Sequence, residues 1–210
     1  QGITSIQKLV DTAKSIANQA LQAPSGYTTK ASATVVGTGT GDESAGGATA
    51  ADLTGGGGAT GSKLDGAVVT FAKADGTSVA ITVGGTAVAY DPSAGTATVK
   101  SLDDLNKALS AAGVGVTAAL TDNKTLTFTS TNDNASQSIA AASAANTLGL
   151  TATGGTASVA NGTPVADVNS QNTRAGLISQ YNAVIDQIKT TAQDSSFNGI
   201  NLLNGDQLKL

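Results

Sequence analysis

The sequence contains no histidine and no cysteine. Without histidine, a Ser-His-Asp triad, a His-metal site and an imidazole proton shuttle are excluded. Without cysteine, disulfides, thiolate zinc sites and thiol nucleophiles are excluded as well. Few of the common catalytic and metal-binding chemistries remain for this chain.

Basic charge and long apolar runs are also scarce. The 210 residues include 11 Lys and Arg against 15 Asp and Glu, a formal net charge of −4. Arg174 is the only arginine, and the lysines form no basic block that could follow a nucleic-acid backbone. No apolar run approaches the ~20 residues that a membrane-spanning helix needs. We therefore expect neither a nucleic-acid partner nor a membrane partner.

Large apolar side chains are few, although hydrophobic residues make up 40% of the chain. Much of this fraction is alanine. Leu, Ile, Val and Phe together supply only about a fifth of the residues, close to the range where disorder becomes common. Because the net charge is small, self-repulsion does not hold the chain open. We predict a folded protein with a thin core that depends on regular secondary structure and on partner surfaces.

Helical periodicity marks both ends of the sequence. Near the N-terminus, apolar residues recur in steps of three and four until Pro24 and Gly26 end the pattern. A second stripe predicts a helix that begins near Asn172 or Thr173 and ends before Ser195. Both helices come out at roughly 30–35 Å, and these matched lengths predict an antiparallel pair. The expected packing seam comprises Ile3, Ile6, Leu9, Val10, Ala13, Leu177, Tyr181, Val184 and Ile188. The stripes are widened by Ile16, Leu21, Ile178, Ile185 and Ala192.

The segment between the two helices is far too long for a helix–helix connection, which usually takes about 2–8 residues. Inserted domains are tolerated at exposed loop tips. We therefore predict an α+β protein with two domains. A helical stem comprises residues 1–23 and 169–210, and a β-rich domain of residues 24–168 is inserted into it.

Strand and turn signals organise the second half of the insertion. Asp75-Gly76 predicts a hairpin with a type I′ turn. Ser101 followed by acidic residues predicts a helix start, and Gly113 predicts its end. With the strands around them, these signals predict a β-β-β-α-β-β unit. Its strands are predicted at 67–74, 77–83, 86–90, 114–120 and 126–128.

Three other segments of the insertion have weaker patterns. Residues 28–36 are predicted as a first strand. Residues 37–61 consist almost entirely of Gly, Ala, Ser and Thr, and we interpret them as a long mobile loop. An alanine-rich stretch at 139–145 predicts a short helical turn.

Two features imitate functional sites. Residues 55–63 are glycine-rich like a phosphate-binding loop, but Ser62 separates Gly61 from Lys63, so the Gly-Lys-Ser/Thr register is lost and a flexible loop is favoured. Asp103 and Asp104 are adjacent on one helix and do not face each other as an acid–base pair would. They are better explained as acids of the first helical turn.

A third feature imitates a metal site. Its oxygen-bearing side chains lack the spacing of a calcium loop, and turn chemistry explains them better. These residues are Asp122, Asn132, Asp133 and Asn134. The sequence therefore predicts no enzyme and assigns no catalytic, cofactor-binding or metal-binding residue.

Several segments resemble bacterial flagellins. Residues 2–10 and 179–188 match flagellin helices, and residues 196–205, with Phe-Asn-Gly followed by Leu-Leu-x-Gly, are the most specific match. In that family this run ends a long helix of the second conserved domain and leads into a β-hairpin. The resemblance thus implies a turn anchored by Phe197, Asn198 and Gly199. Residues 101–130 also resemble the insertion module of flagellins and hook-associated proteins.

The resemblance implies a structural subunit that is secreted through the flagellum and assembles outside the cell into the coiled-coil filament of motility. Its partners would be other copies of the full-length subunit, and an export chaperone also fits. The terminal polymerisation helices of the family have no counterpart here, so we expect these 210 residues alone to be monomeric. The inserted domain would face solvent.

Two alternatives remain open. One is a cell-surface flagellin homologue whose inserted domain binds polysaccharide or a host surface, although carbohydrate sites usually need exposed aromatics. The aromatics available in the insertion are Tyr27, Phe71, Tyr90 and Phe128. The other alternative is a hook–filament junction protein.

Some flagellins are bound by an innate immune receptor through an Arg-rich patch on the first of these helices. The corresponding residues 7–14 contain Lys8 and Lys14 but no arginine. Lysine carries charge without the planar, bidentate hydrogen bonding of arginine. We therefore expect weak or absent binding to that receptor.

Overall fold

The computed structural model describes residues 2–22 and 26–209, with side chains at 3–20 and 26–194. The fold is α+β. The α-helices of the described residues are α1 (Gly2–Gln22), α2 (Leu102–Ala112) and α3 (Val168–Lys209). None of these helices combines the length and the apolar character required to cross a membrane.

The chain divides into two compact units. The first contains Gln1–Gly26 and Asp167–Leu210, and the second is Tyr27–Ala166. The second unit holds the strands β1 (Tyr27–Thr29), β2 (Ser32–Gly37), β3 (Val68–Ala72), β4 (Ser78–Val83), β5 (Val88–Asp91), β6 (Thr96–Val99), β7 (Val116–Leu120), β8 (Thr125–Ser130), β9 (Ser138–Ala140), β10 (Thr147–Thr153), β11 (Gly155–Asn161) and β12 (Val165–Ala166).

The strands form three sheets in the second unit. One has six strands in the order β5-β6-β4-β3-β10-β9, and another has four in the order β11-β2-β8-β7. The third pairs β1 with β12 antiparallel, with Tyr27 opposite Ala166. Because this small sheet joins the first and last strands, the unit starts and ends at the same place.

The hairpin predicted around Asp75-Gly76 is confirmed, but its turn type is wrong. β3 and β4 pair antiparallel, from Val68 opposite Thr82 to Ala72 opposite Ser78. Of the two turn residues only Gly76 has a positive φ, of 92°, whereas a type I′ turn needs two. Asp75 instead keeps an ordinary φ and uses its carboxylate to accept a hydrogen bond from the Thr77 N–H at 2.9 Å.

The predicted helix after Ser101 is confirmed as α2. The Ser101 hydroxyl accepts a hydrogen bond from the Asp104 N–H at 3.0 Å, and the Asp104 carboxylate accepts one from the Ser101 N–H at 3.1 Å. This reciprocal capping box satisfies N–H groups that a helix start leaves without partners. Gly113 ends the helix with a φ of 66°.

Several predicted strands need correction. The strand β6 was not predicted, so the unit is β-β-β-β-α-β-β. β6 pairs parallel with β4, and such non-local pairing leaves little local sequence signal for a strand. Residues 28–36 form two strands, β1 and β2, rather than one. The helical turn predicted at 139–145 is wrong, because Ser138–Ala140 form β9, which is held by pairing with β10.

One apolar core joins the six-stranded and four-stranded sheets. Phe71 on β3 and Phe128 on β8 are both fully buried, and their rings meet edge to face with centroids 5.3 Å apart. Aromatic pairs prefer this arrangement over a face-to-face sandwich. Helix α2 adds one apolar stripe to the same core. Its buried residues are Leu105, Ala108, Leu109 and Ala112.

The mobile loop predicted at 37–61 is wrong, because this segment packs into the core. Leu53 is fully buried, and its N–H donates to the Lys100 carbonyl at 2.6 Å. The Glu43 N–H donates to the Gly61 carbonyl at 3.3 Å. A Cβ added at Gly41 would collide with that same carbonyl. Glycine here allows close approach of two backbone segments, whereas the sequence interpretation took it as a sign of mobility.

The end of α1 is confirmed, but both bounds predicted for α3 are wrong. α3 begins at Val168 because the Asp167 carboxylate accepts hydrogen bonds from the N–H groups of Asn169 and Ser170, as an N-cap does. It continues to Lys209. With 21 and 42 residues, α1 and α3 span about 32 Å and 63 Å, so the helices are not matched in length.

Replacement of Leu53 by alanine tests whether residues 37–61 belong to the core. Because Leu53 is fully buried, we expect Leu53→Ala to lower the free energy of unfolding by about 2–5 kcal/mol in urea denaturation. Ala51→Ser, at an exposed position of the same segment, should change it by no more than about 0.5 kcal/mol. Equal small effects of both variants would contradict the packed arrangement.

Candidate functional site

The contact between α1 and α3 is the strongest candidate for a functional surface in the first unit. Ala13, Ile16 and Val184 are buried there as a separate apolar cluster. Partly buried side chains extend the cluster on both helices: Leu9, Leu177, Ile185 and Ile188. The cluster joins the two helices lengthwise through small and branched side chains.

The residues of the predicted seam divide into three groups. Leu9, Ala13, Leu177, Val184 and Ile188 lie in the cluster as expected. Two others, Ile6 and Val10, are half-buried. The last two, Ile3 and Tyr181, are exposed by 83% and 37% and lie outside the cluster. Ile16 and Ile185, which the sequence placed only at the margins of the stripes, belong to the cluster instead.

An exposed apolar stripe runs along α3 beside the buried cluster. Ile178 is 55% exposed and Tyr181 is 37% exposed, while Ile185 is half-buried. Their spacing of three and four residues places them on one side of the helix. Exposed apolar residues on one helical face are typical of a surface that a further helix covers. Ile178 and Tyr181 thus leave an uncovered apolar patch on α3.

Arg174 interacts with the C-terminal end of α1. Its Nη1 donates to the carbonyl oxygen of Ala20 at 3.4 Å. Ala20 lies in the last turn of α1, where carbonyl groups have no partner within the helix and the helix dipole favours a cation. The single arginine of the chain thus stabilises the end of α1 against α3.

The predicted turn anchor comprises Phe197, Asn198 and Gly199. At these positions the structure describes the backbone but not the side chains. The backbone there is helical, so the predicted turn is wrong. Adding residues to an existing helix costs much less than starting one, and an isolated two-stranded hairpin is only marginally stable. The helix therefore continues through the Asn-Gly positions.

The features that imitate sites have structural roles in the second unit. Just before the glycine-rich loop of residues 55–63, the Asp52 carboxylate accepts hydrogen bonds from the Thr54 N–H at 3.0 Å and the Thr54 hydroxyl at 2.5 Å. At the end of the loop, the Ser62 N–H donates to the Thr54 carbonyl at 2.8 Å, and the Ser62 hydroxyl accepts from the Leu64 N–H at 2.9 Å. Asp103 forms an exposed ion pair with Lys107 at 2.9 Å. Its neighbour Asp104 caps α2.

Two of the residues considered for a cation accept hydrogen bonds from other groups of the protein. Asp122 accepts from the Lys124 N–H at 2.9 Å, and Asn132 accepts from the Lys30 ammonium at 3.0 Å. Nowhere in the part of the chain that the structure describes do three carboxylates come together as a metal site requires. These hydrogen bonds help to order the loops in which Asp122 and Asn132 lie.

Glu43 is the one strained acidic residue of the described chain. Its φ is 63°, a region that non-glycine residues rarely adopt. Its Oε1 is buried without a hydrogen-bond partner, and its Oε2 lies 4.0 Å from the Lys124 ammonium. The side chain links the 37–61 segment to the turn between β7 and β8.

The aromatic residues of the second unit are largely enclosed. Phe71 and Phe128 are buried, and Tyr27 and Tyr90 are half-buried. A groove of about 330 Å³ lies between β5 and α2 beside Tyr90. The only carboxylate that lines it, Asp104, already caps α2. The aromatic side chains of the second unit thus lie buried or half-buried.

A recurrent turn lowers the pKa of several aspartates. The main cause of the lowered pKa of Asp52 is the hydrogen bond that its carboxylate accepts from the Thr54 hydroxyl. The hydrogen bond from the Thr54 N–H lowers the pKa further. Hydrogen bonds to the charged form favour ionisation. The aspartates whose pKa is lowered are Asp42, Asp52, Asp75, Asp104, Asp122 and Asp167.

No protein-family model, curated protein or solved structure matches this chain.

The lowered aspartate pKa values predict a specific acid sensitivity. A folded-state pKa below the ordinary value of 3.8 contributes stability that is present above that value and is lost as the pH falls through the folded pKa. We expect the free energy of unfolding to be lower at pH 3 than at pH 6. Asp52→Asn should reduce this difference, mainly by lowering stability at pH 6.

Asp133→Asn provides the matched control, because it removes the same charge from an exposed carboxylate elsewhere in the second unit. It should keep the pH difference of the unchanged protein in urea denaturation. If both variants altered the difference equally, net charge rather than the turn hydrogen bonds would govern the acid response.

Proposed function

We propose that the chain is a structural subunit of the bacterial flagellar filament, secreted and assembled outside the cell, where it supports motility. Its helices act as a stem that packs into the filament, and its β-rich unit faces solvent. The mechanism is associative: apolar helix faces set the contacts between subunits, and no chemical step is performed. The sequence resemblance over residues 2–10, 179–188 and 196–205 introduces this proposal.

The observation that carries the proposal is the pair of apolar surfaces on α3. One surface is filled by α1 through Ala13 and Ile16 against Val184. The second, marked by Ile178 and Tyr181, is exposed in this chain. A helix that is apolar over more of its circumference than one neighbour covers is suited to a bundle of several helices. A filament of packed subunits supplies such neighbours.

An antiparallel helical hairpin is part of the proposal. The Ala20 carbonyl receives its hydrogen bond from Arg174, while Ala13 and Ile16 meet Val184 ten residues further along α3. Residue numbers thus rise along α3 as they fall along α1, which supports the antiparallel stem. The extra length of α3 extends beyond the part that α1 accompanies.

Filament assembly of the full polypeptide, including the terminal polymerisation helices that the resemblance implies, tests the proposal. Ile178→Asp should abolish filaments seen by electron microscopy under conditions where the unchanged protein assembles. The physical reason is that contact with a second helix would bury a carboxylate, which costs several kcal/mol. Because Ile178 is 55% exposed, the variant should keep the helical content and melting temperature of the unchanged protein.

Ser179→Asp is the matched control, since Ser179 is exposed and lies off the apolar stripe. It should assemble like the unchanged protein. Normal filaments from Ile178→Asp, or loss of filaments from both variants alike, would contradict the role of the stripe. Failure of the unchanged full polypeptide to form any filament would contradict the proposed function itself.

A further inference from the structure

The chain contains one Asp-Pro dipeptide, Asp91-Pro92, at the end of β5. It lies in the turn that leads to β6, where residues 91–94 are all exposed. The Pro92 nitrogen belongs to a tertiary amide without an N–H, and it leaves as a secondary amine once it takes up a proton. A carboxylate on the residue before such a bond is a nucleophile next to a good leaving group.

The turn holds the Asp91 carboxylate beside this bond. Its Oδ1 accepts a hydrogen bond from the Ser93 N–H at 2.9 Å. This Asx turn closes a ring that contains the Asp91–Pro92 peptide bond, so the carboxylate stays near the Asp91 carbonyl carbon. Proline also restricts the backbone of the residue before it to extended conformations. The nucleophile is therefore already positioned in the folded chain, which removes much of the entropic cost of its attack.

A backbone N–H is aimed at the carbonyl oxygen of the same bond. The Gly95 N–H donates to the Asp91 carbonyl at 2.7 Å. A donor in this position stabilises the negative charge that develops on the oxygen when a nucleophile adds to the carbon. Gly95 has a φ of 69°, and a Cβ there would lie 2.9 Å from the Ser78 carbonyl oxygen. Glycine at this position therefore keeps the donor in place.

We propose that Asp91 cleaves the Asp91–Pro92 bond of its own chain in mild acid. A carboxylate oxygen of Asp91 bonds to the Asp91 carbonyl carbon, the bond from that carbon to the Pro92 nitrogen breaks, and the nitrogen takes a proton from the solution. Water then opens the resulting cyclic anhydride, which restores the side-chain carboxyl and leaves a new C-terminal carboxyl. The net reaction is hydrolysis of one peptide bond, with water as the only co-reactant. This activity goes beyond the proposed filament function and does not depend on it.

The two fragments remain joined through the core. β4 of residues 1–91 pairs with β6 of residues 92–210, and β3 and β2 pair with β10 and β8 across the same division. Each fragment thus contributes neighbouring strands to both large sheets. Because the cut lies in an exposed turn, the fold keeps these pairings, and the products separate only under denaturing conditions.

Asp75 provides a comparison within the same chain. Its carboxylate accepts from the Thr77 N–H at 2.9 Å in another exposed hairpin turn. The following residue is Gly76, whose nitrogen carries a hydrogen and donates it to the Lys73 carbonyl at 3.0 Å. The carboxylate is thus held in a similar turn, but the leaving group is an ordinary amide. The Asp75–Gly76 bond should stay intact under conditions that cut the Asp91–Pro92 bond.

The cleavage is measured by mass spectrometry of the denatured products after incubation at about pH 4, where acid is available to protonate the leaving nitrogen. Fragments 1–91 and 92–210 should form. The folded chain should be cut at least about fivefold faster than the chain unfolded in urea at the same pH, because only the fold positions the carboxylate and the Gly95 N–H. Circular dichroism at this pH establishes that the chain without urea is folded.

Two variants separate the parts of the reaction. Asp91→Asn keeps an oxygen that accepts from the Ser93 N–H but removes the carboxylate nucleophile, and Pro92→Ala keeps the carboxylate but removes the proline leaving group. Each should slow cleavage by about tenfold or more while keeping the circular dichroism spectrum of the unchanged chain. The proposal is overturned if the folded chain is not cut faster than the unfolded chain, if Asp91→Asn is cut as fast as the unchanged chain, or if the Asp75–Gly76 bond is cut equally.

Discussion

The contact between Phe71 and Phe128 is the interaction on which the β-rich unit depends most. The two rings come from different sheets, and the chain has only 3 phenylalanines and no tryptophan. Most of the remaining core consists of aliphatic side chains, many of them small. Leu53 and Leu64 complete it from segments outside the sheets. The second unit thus forms its core by placing most of its few large apolar side chains between two sheets and one helix.

The elements that could be predicted are those whose signals are local. The hairpin at Asp75-Gly76 and the helix between Ser101 and Gly113 follow from backbone chemistry at fixed spacing. β6 was missed because four residues carry little pattern and its main partner β4 is distant in sequence. The 37–61 segment was misjudged because glycine permits both disorder and close backbone packing, and only tertiary contacts decide between them.

The helical surface was predicted in outline and corrected in detail. Periodicity identified both helices and most of the buried cluster, but it could not separate the buried residues of each stripe from the exposed ones. Tyr181 and Ile3 were predicted in the seam and are exposed. Periodicity also did not predict that α3 is twice the length of α1. The continuation of a helix depends on its tertiary context more than on the intrinsic helix propensity of its residues.

Because the chain has no cysteine, spin labels can be introduced at chosen pairs of exposed positions. The central claim, that α1 and α3 run antiparallel as one stem, is tested most directly by distances from Thr12 to Gln187 and from Thr12 to Asn172. With 1.5 Å of rise per residue and helix axes about 8–10 Å apart, an antiparallel stem predicts that the first distance is shorter than the second by roughly 10–15 Å. Equal distances, or a shorter distance to Asn172, would contradict it.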